Sequence, residues 1–138
     1  MKVEELISLA RLSRYKKGIF LCGQEFTEGV VVDCSSLRTA RQLLTSLLDA
    51  LGAPYPESAT LYQLEERAVG ALLGAEVVVL RDFDGLLSGR SARRVLAYLK
   101  SLLNRSRAVF VLTGRGESWR VIKSQEQLFR RFTPVDCG

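Results

Sequence analysis

The chain has 138 residues, 47% hydrophobic and 25% charged, with a formal net charge of +5. That size and balance suit one globular domain over 1–138, with no apolar run long enough to span a membrane and no basic leader ahead of Glu4 and Glu5 to mark an export signal. The absence of histidine excludes Ser–His and Cys–His catalysis, histidine bases and most zinc sites.

Val3, Leu6, Ile7 and Ala10 recur at helical spacing and predict an N-terminal helix. Two short apolar runs follow, Ile19-Phe20-Leu21-Cys22 and Val30-Val31-Val32, separated by residues 23–29. Seven residues are too few for a parallel crossover through a helix, so direct pairing of these strands would make them antiparallel. Ser35 or Ser36 is placed to cap a helix with Leu37, Ala40, Leu44, Leu47, Leu48 and Leu51 on one face, stopped by Gly52, Pro54 and Pro56. Ser58 or Thr60 starts another, with Leu61, Leu64, Ala68 and Leu72 inward and Gly74 as its stop.

The run at 77–80 is a buried strand that ends in Arg81, Asp82, Phe83 and Asp84. A loop then leads to a helix near 91–104. Its inward stripe is Ala92, Val95, Leu96, Leu99, Leu102 and Leu103; Arg93, Lys100 and Asn104 lie opposite, with Arg94 beside them. Residues 108–112 form the next buried strand. Thr113-Gly114-Arg115-Gly116 turns into a short helix through Trp119 and Ile122, a second short helix covers 125–131, and Val135 begins a last strand. From Val30 onward strands alternate with helices, the pattern of an α/β fold with a mostly parallel sheet.

The positive charge is concentrated. Residues 85–116 contain no acid and seven bases: Arg90, Arg93, Arg94, Lys100, Arg105, Arg107 and Arg115. The remainder holds 13 basic against 15 acidic residues, a net −2. Such asymmetry suits a polyanion-binding face, and Arg90, Arg93, Arg94, Lys100, Arg105 and Arg107 are the candidate nucleic-acid contacts. A smaller basic group, Arg11, Arg14, Lys16 and Lys17 around Tyr15, reads as an exposed helix end. The three cysteines, Cys22, Cys34 and Cys137, lack metal-ligand spacing and read as buried free thiols in a reducing, cytoplasmic compartment.

From Arg81 to Pro134 the order of motifs resembles the TniB/TnsC group of transposition AAA+ ATPases. The matching pieces are Leu86-Leu87-Ser88-Gly89, then Leu99-Lys100-Ser101-Leu102-Leu103-Asn104, then residues 122–134 from Ile122-Lys123-Ser124 to Arg131-Phe132-Thr133-Pro134. Upstream, Leu47-Leu48-Asp49-Ala50-Leu51-Gly52-Ala53-Pro54 is similar to that group's helix after the second strand. The resemblance implies a three-layer α/β/α, reduced AAA+ (P-loop NTPase-like) core. It also implies partners: an active transposition ATPase or a transposase subunit, double-stranded DNA, and further copies in an oligomer.

The departures fall on the chemistry. No G-x-x-x-x-G-K-[ST] loop occurs; after Gly23 stands Gln24-Glu25-Phe26-Thr27-Glu28-Gly29, with Glu25 and Glu28 where phosphates would lie and no lysine to offset them. Aligned on Leu86-Leu87, Arg81 takes the place of the family's magnesium-binding Asp, and Asp82 that of its catalytic Glu. A guanidinium neither ligates a cation nor loses its charge near neutral pH. The expectation is therefore a non-catalytic relative with no ATP, magnesium or other metal bound. Arg131 matches the position of an arginine that reaches a neighbouring subunit's nucleotide in such ATPases, so it is the candidate trans arginine finger.

A second pattern competes. Asp82 and Asp84 after an apolar strand resemble motif one of haloacid dehalogenase-like phosphatases. In that reading they are nucleophile and general acid, with Thr113 as the phosphate-binding hydroxyl and Lys123 as the required lysine. A stand-alone basic DNA-binding domain is the third reading.

Overall fold

The computed structural model describes residues 2–138. Five strands form one sheet: β1 Gly18–Cys22, β2 Val30–Asp33, β3 Val77–Arg81, β4 Val109–Gly114 and β5 Phe132–Val135. Their spatial order is β2-β3-β4-β1-β5, and every pairing is parallel. The middle strands β1 and β4 are buried on both faces, which is why their sequences are continuous apolar runs rather than alternating ones.

The helices are α1 Val3–Leu12, α2 Ala40–Ala50, α3 Leu61–Ala71, α4 Asp84–Leu87, α5 Ala92–Arg105, α6 Gly116–Lys123 and α7 Glu126–Phe129. Two of them start on reciprocal capping boxes, Thr39 with Gln42 and Thr60 with Gln63. The start of α2 therefore lies at Thr39, later than Ser35 or Ser36, because only Thr39 has a glutamine three residues on. Ser35 is instead held in a turn, its N–H donating to Asp33 Oδ1 at 3.0 Å. Among the described residues no helix is long and apolar enough to cross a membrane.

The helices are shared unequally between the two faces of the sheet. Phe20, Val32, Val78, Leu80, Phe110, Leu112 and Phe132 pack against α2 to α7 in one large core that also holds Leu47, Leu64, Leu99 and Trp119. On the other face Ile19, Leu21, Val79, Val109 and Val111 meet Ile7 and Ala10 of α1 and Phe26 of the loop, with Val3 and Leu6 of α1 partly buried beside them. Removing a fully buried leucine from the large core, such as Leu47 or Leu99, costs about 2–5 kcal/mol.

The thin face follows from the link between β1 and β2. These two strands do not pair, and they are parallel, not antiparallel. Residues 23–29 cross the sheet without a helix, passing β4 and β3 to reach the far edge, and Phe26 is their one buried side chain. Seven residues reach about 24 Å when extended, enough for that diagonal. Gly29 permits the landing: its φ is 111°, and a Cβ there would lie 2.7 Å from the Val77 carbonyl oxygen.

Two further differences from the sequence reading occur at the C-terminal end. The last strand starts at Phe132, three residues early, with Pro134 accommodated because β5 is an edge strand. Cys22 and Cys137 are not free thiols: their Cα atoms lie 5.1 Å apart and they form a disulfide across 115 residues of sequence. Parallel pairing of β1 with β5 brings them side by side. Cys34 alone is free, and it is buried.

Candidate functional site

The carboxyl ends of β1, β3 and β4 open onto one cleft of 410 Å³, lined by Gly23, Glu25, Arg38, Arg81, Asp82, Asp84, Thr113 and Arg115 among others. Parallel sheets collect their chemistry at this edge, where strand connections diverge. Chain order scatters these residues; topology converges them.

At the β3 tip, Arg81 donates to Asp33 Oδ2 at 3.1 Å, with the two side chains 33% and 53% exposed. An ion pair this exposed is worth about 0–1 kcal/mol. The Arg81 Nε is buried without a partner. Asp33 is held below the usual carboxylate range, first by the Ser35 backbone N–H and then by the Ser35 hydroxyl, with Arg81 contributing less.

Asp82 adopts φ 54°, the left-handed region that non-glycine residues avoid, and its N–H donates to Thr113 Oγ1 at 3.0 Å. Its side chain is exposed in the cleft. Asp84, in the same lining, is already engaged: Oδ1 accepts the Arg115 N–H at 2.9 Å and also the Ser118 hydroxyl, so this carboxylate caps the start of α6 from a distant segment. Gly114 allows the approach, since a Cβ there would lie 2.8 Å from Asp84 Oδ1. Behind the tip sits Cys34, its thiol pushed up to about 12 by burial first and then by Asp33 and Asp82. Among the described residues no three cysteines or acids converge as metal ligands.

At the β1 tip, Gly23 turns the chain at φ 69° and Gln24 donates to Asp136 Oδ2. Only Glu25 of the two expected acids lines the cleft. Glu28 lies at the opposite end of the sheet, beside Glu76 and Val77, because the crossover has carried it there.

The structure brings Asp82, Asp84 and Thr113 together, as the phosphatase pattern requires, but leaves that pattern without its lysine. Lys123 stands at the far end of α6, outside the cleft lining and about 10 Å along the helix from its start. Asp84, moreover, is committed to α6.

The basic cluster divides. Arg90, Arg93 and Arg94 are exposed around the start of α5, at the cleft edge of the sheet. Lys100 lines a groove with Arg93, Leu96, Gln125 and Gln127. Arg105, at the other end of α5, donates to Glu65 and Glu66 at 2.7 and 2.6 Å, so its charge is offset within the fold. Arg107 is exposed at the start of β4, where it adds to burial in lowering the pKa of Lys17. Arg131 is held in place by three groups of its own chain: the Asn104 side chain at 2.7 Å, the Gln127 carbonyl, and the Tyr15 ring, 4.7 Å from centroid to guanidinium. The sequence reading missed Asp84 as a helix cap and Arg38 as a cleft residue. Ser118, two residues after the Thr113–Gly116 turn, was the available signal for the first; the second had none.

The sequence model of the family described as bacterial TniB protein matches residues 14–137. No curated protein matches the sequence. Two solved structures are similar in fold: a chain of the Drosophila ORC bound to AT-rich DNA and Cdc6, with TM-score 0.58 and 14% identity, and a chain of the Drosophila ORC bound to GC-rich DNA and Cdc6, with TM-score 0.54 and 15% identity. Each match covers 97% of this chain but only 52% and 58% of the other, so this chain spans about half their length. At such identity the likeness concerns the fold alone: a parallel α/β core of the AAA+, P-loop NTPase-like kind.

Proposed function

Because this chain belongs to the bacterial TniB protein family, a transposition-related family with an AAA+-like fold, we propose that it serves as a non-catalytic accessory to an active ATPase of that kind. The single observation that carries this reading is the Arg81–Asp33 pair at the β3 tip. A fixed cation occupies the place where a metal–triphosphate complex needs an anionic ligand, and Asp33, the acid bonded to it, is already engaged by Arg81 and Ser35. Across the cleft stand Gln24 and Glu25 in place of a phosphate cradle and its lysine; the lining's other cations are Arg115 and Arg38, the latter bonded to the Ser35 and Leu37 carbonyls. These residues do not fit Mg–ATP, and no hydrolytic step is assigned to them.

On this reading the chain acts through contacts. Arg90, Arg93, Arg94 and Lys100 are the face offered to the phosphates of double-stranded DNA, while Arg105 serves mainly to tie α5 to α3. A TniB-type ATPase or a transposase subunit is the protein partner. Arg131 is better suited to fixing the Tyr15–Asn104 surface against such a partner than to reaching across as a finger, since a finger would have to abandon three contacts.

Two titrations test the proposal together. Calorimetry with ATP and magnesium is expected to give no binding heat, and saturable binding would overturn it. Fluorescence anisotropy with a duplex is expected to show affinity falling steeply with salt. In Arg93→Glu/Lys100→Glu the log–log slope should drop by about 2, as for two lost phosphate contacts. An unchanged slope would remove DNA from the reading.

A further inference from the structure

A parallel crossover ordinarily lays a helix over the sheet it spans. Here residues 23–29 lay down Phe26 and nothing more, and α1 covers β1 and β4. On this face the beginnings of β2 and β3 stay open, with Val31 and Val77 only half-buried. Between α1 and this edge lies a groove of 530 Å³ with Ile7, Phe26 and Val77 in its floor; Val30 borders it with its side chain turned to the large core. That volume falls within the range of about 300–1,000 Å³ typical of binding clefts.

The rim of the groove is acidic. Glu4, Glu28 and Glu76 are exposed around it, and its one cation, Arg11, is bonded to Glu76 at 2.9 Å. The unbalanced charge is therefore that of Glu4 and Glu28. This sign is opposite to the α5 face, so the molecule carries two surfaces of different polarity on the two sides of one sheet.

We infer that this groove docks a basic amphipathic segment of a partner protein, one or two aliphatic side chains bracketed by Lys or Arg. The apolar floor takes the aliphatic anchor, and the glutamates orient the flanking cations and speed their encounter. Nucleic acid is repelled by the same rim. A second copy of this chain fits less well: the basic face of α5 offers only Ala97 between Arg93 and Lys100, and the exposed Leu12, between Arg11 and Arg14, stands on the groove's own helix with Arg11 already bonded to Glu76. The site lies away from the cleft and does not depend on whether nucleotide binds there.

The test uses the whole chain with methyl-labelled Ile, Leu and Val. A short Lys/Leu amphipathic peptide and its Glu/Leu counterpart are titrated while methyl shifts are followed. The expected result is that the Lys/Leu peptide moves the Ile7 and Val77 methyls, and that the Glu/Leu peptide does not bind. Affinity should fall at least about tenfold in Glu4→Lys/Glu28→Lys, and also on raising salt in the unmodified protein, a readout that needs no variant to fold. Shifts confined to Leu96 and Val121 on the opposite face, equal binding of both peptides, or salt-independent affinity would each overturn the inference. So would sedimentation showing a dimer that the Glu4→Lys/Glu28→Lys change abolishes, which would give the groove to a second copy.

Discussion

At the β3–β4 side of the cleft the polar groups answer one another: Arg81 to Asp33, the Asp82 N–H to Thr113, and Asp84 to both Arg115 and Ser118. At the β1 side the chain turns at Gly23, whose N–H donates to the Gly114 carbonyl at 3.2 Å, makes one side-chain contact from Gln24 to Asp136, and is crosslinked by the Cys22–Cys137 disulfide. One half of the cleft is held by a hydrogen-bonded network and the other by a covalent link beneath a short loop. The difference teaches that the side chains of the two halves are organised separately, although the backbone of Gly23 and Gly114 joins the tips. The loop at β1 dispenses with a helix and leaves the sheet intact, because β1 is secured by its pairing with β4 and β5. The β3 and β4 tips, by contrast, carry a helix start, and altering them should reach the core.

The largest effect expected is on the covalent side. A crosslink spanning 115 residues restricts the unfolded chain strongly, and removing one typically costs about 2–4 kcal/mol. Urea unfolding should therefore show Cys22→Ser/Cys137→Ser and the reduced wild type destabilised alike by that amount, relative to the oxidised protein. Cys34 supplies an internal standard. Its thiol is buried and pushed up to about 12, so the native oxidised protein should show no thiol reactive at pH 8 until urea exposes this one. Equal midpoints for oxidised and reduced protein would mean that strand pairing alone secures β1.

On the network side, Asp84→Ala removes the acceptor of the Arg115 N–H and of the Ser118 hydroxyl. Ser118 is buried, and α6 brings Trp119 and Ile122 into the core. Leaving two donors without a partner should cost about 2 kcal/mol in thermal or urea unfolding, with loss of the tryptophan near-ultraviolet signal. Gln24→Ala, its counterpart across the cleft, should change stability by no more than about 0.5 kcal/mol. Equal effects from the two would erase the contrast.

How much of this was legible in the residues depends on distance along the chain. α3 and α5 could be read almost to their ends, since Thr60 with Gln63 and the leucine stripe of 95–103 are local signals. Arg81 and Asp82 at a strand tip were legible for the same reason. The pairing of β1 was not: whether 23–29 turns back or crosses the sheet is decided by which neighbours β1 accepts, and those neighbours lie about a hundred residues later. The disulfide shares that origin, as does the removal of Glu28 to the other end of the molecule. Asp84 looked like an acid for chemistry because its residue type is the same whether it meets a substrate or a helix start; its bonds to the Arg115 N–H and the Ser118 hydroxyl, at the close approach of Gly114, distinguish them.

The smallest effect concerns Asp82, and it bears on whether the network side was shaped only for stability. At φ 54° a side chain with a Cβ is strained by roughly 1 kcal/mol, while glycine there adds back part of that amount through the freedom of the unfolded chain. Asp82→Gly should thus raise stability by about 0.5 kcal/mol, whereas Asp82→Ala, which keeps the Cβ, should not. Both changes lift one of the charges that hold the Cys34 thiol up, so both should make that thiol slightly more acidic in the folded state. If glycine stabilises and alanine does not, the carboxylate is kept at this tip at the expense of stability, and its exposed position in the cleft becomes the place to look for a partner's contact. If glycine destabilises, the Thr113 hydrogen bond already relieves the strain, and Asp82 belongs with Asp84 as part of the frame.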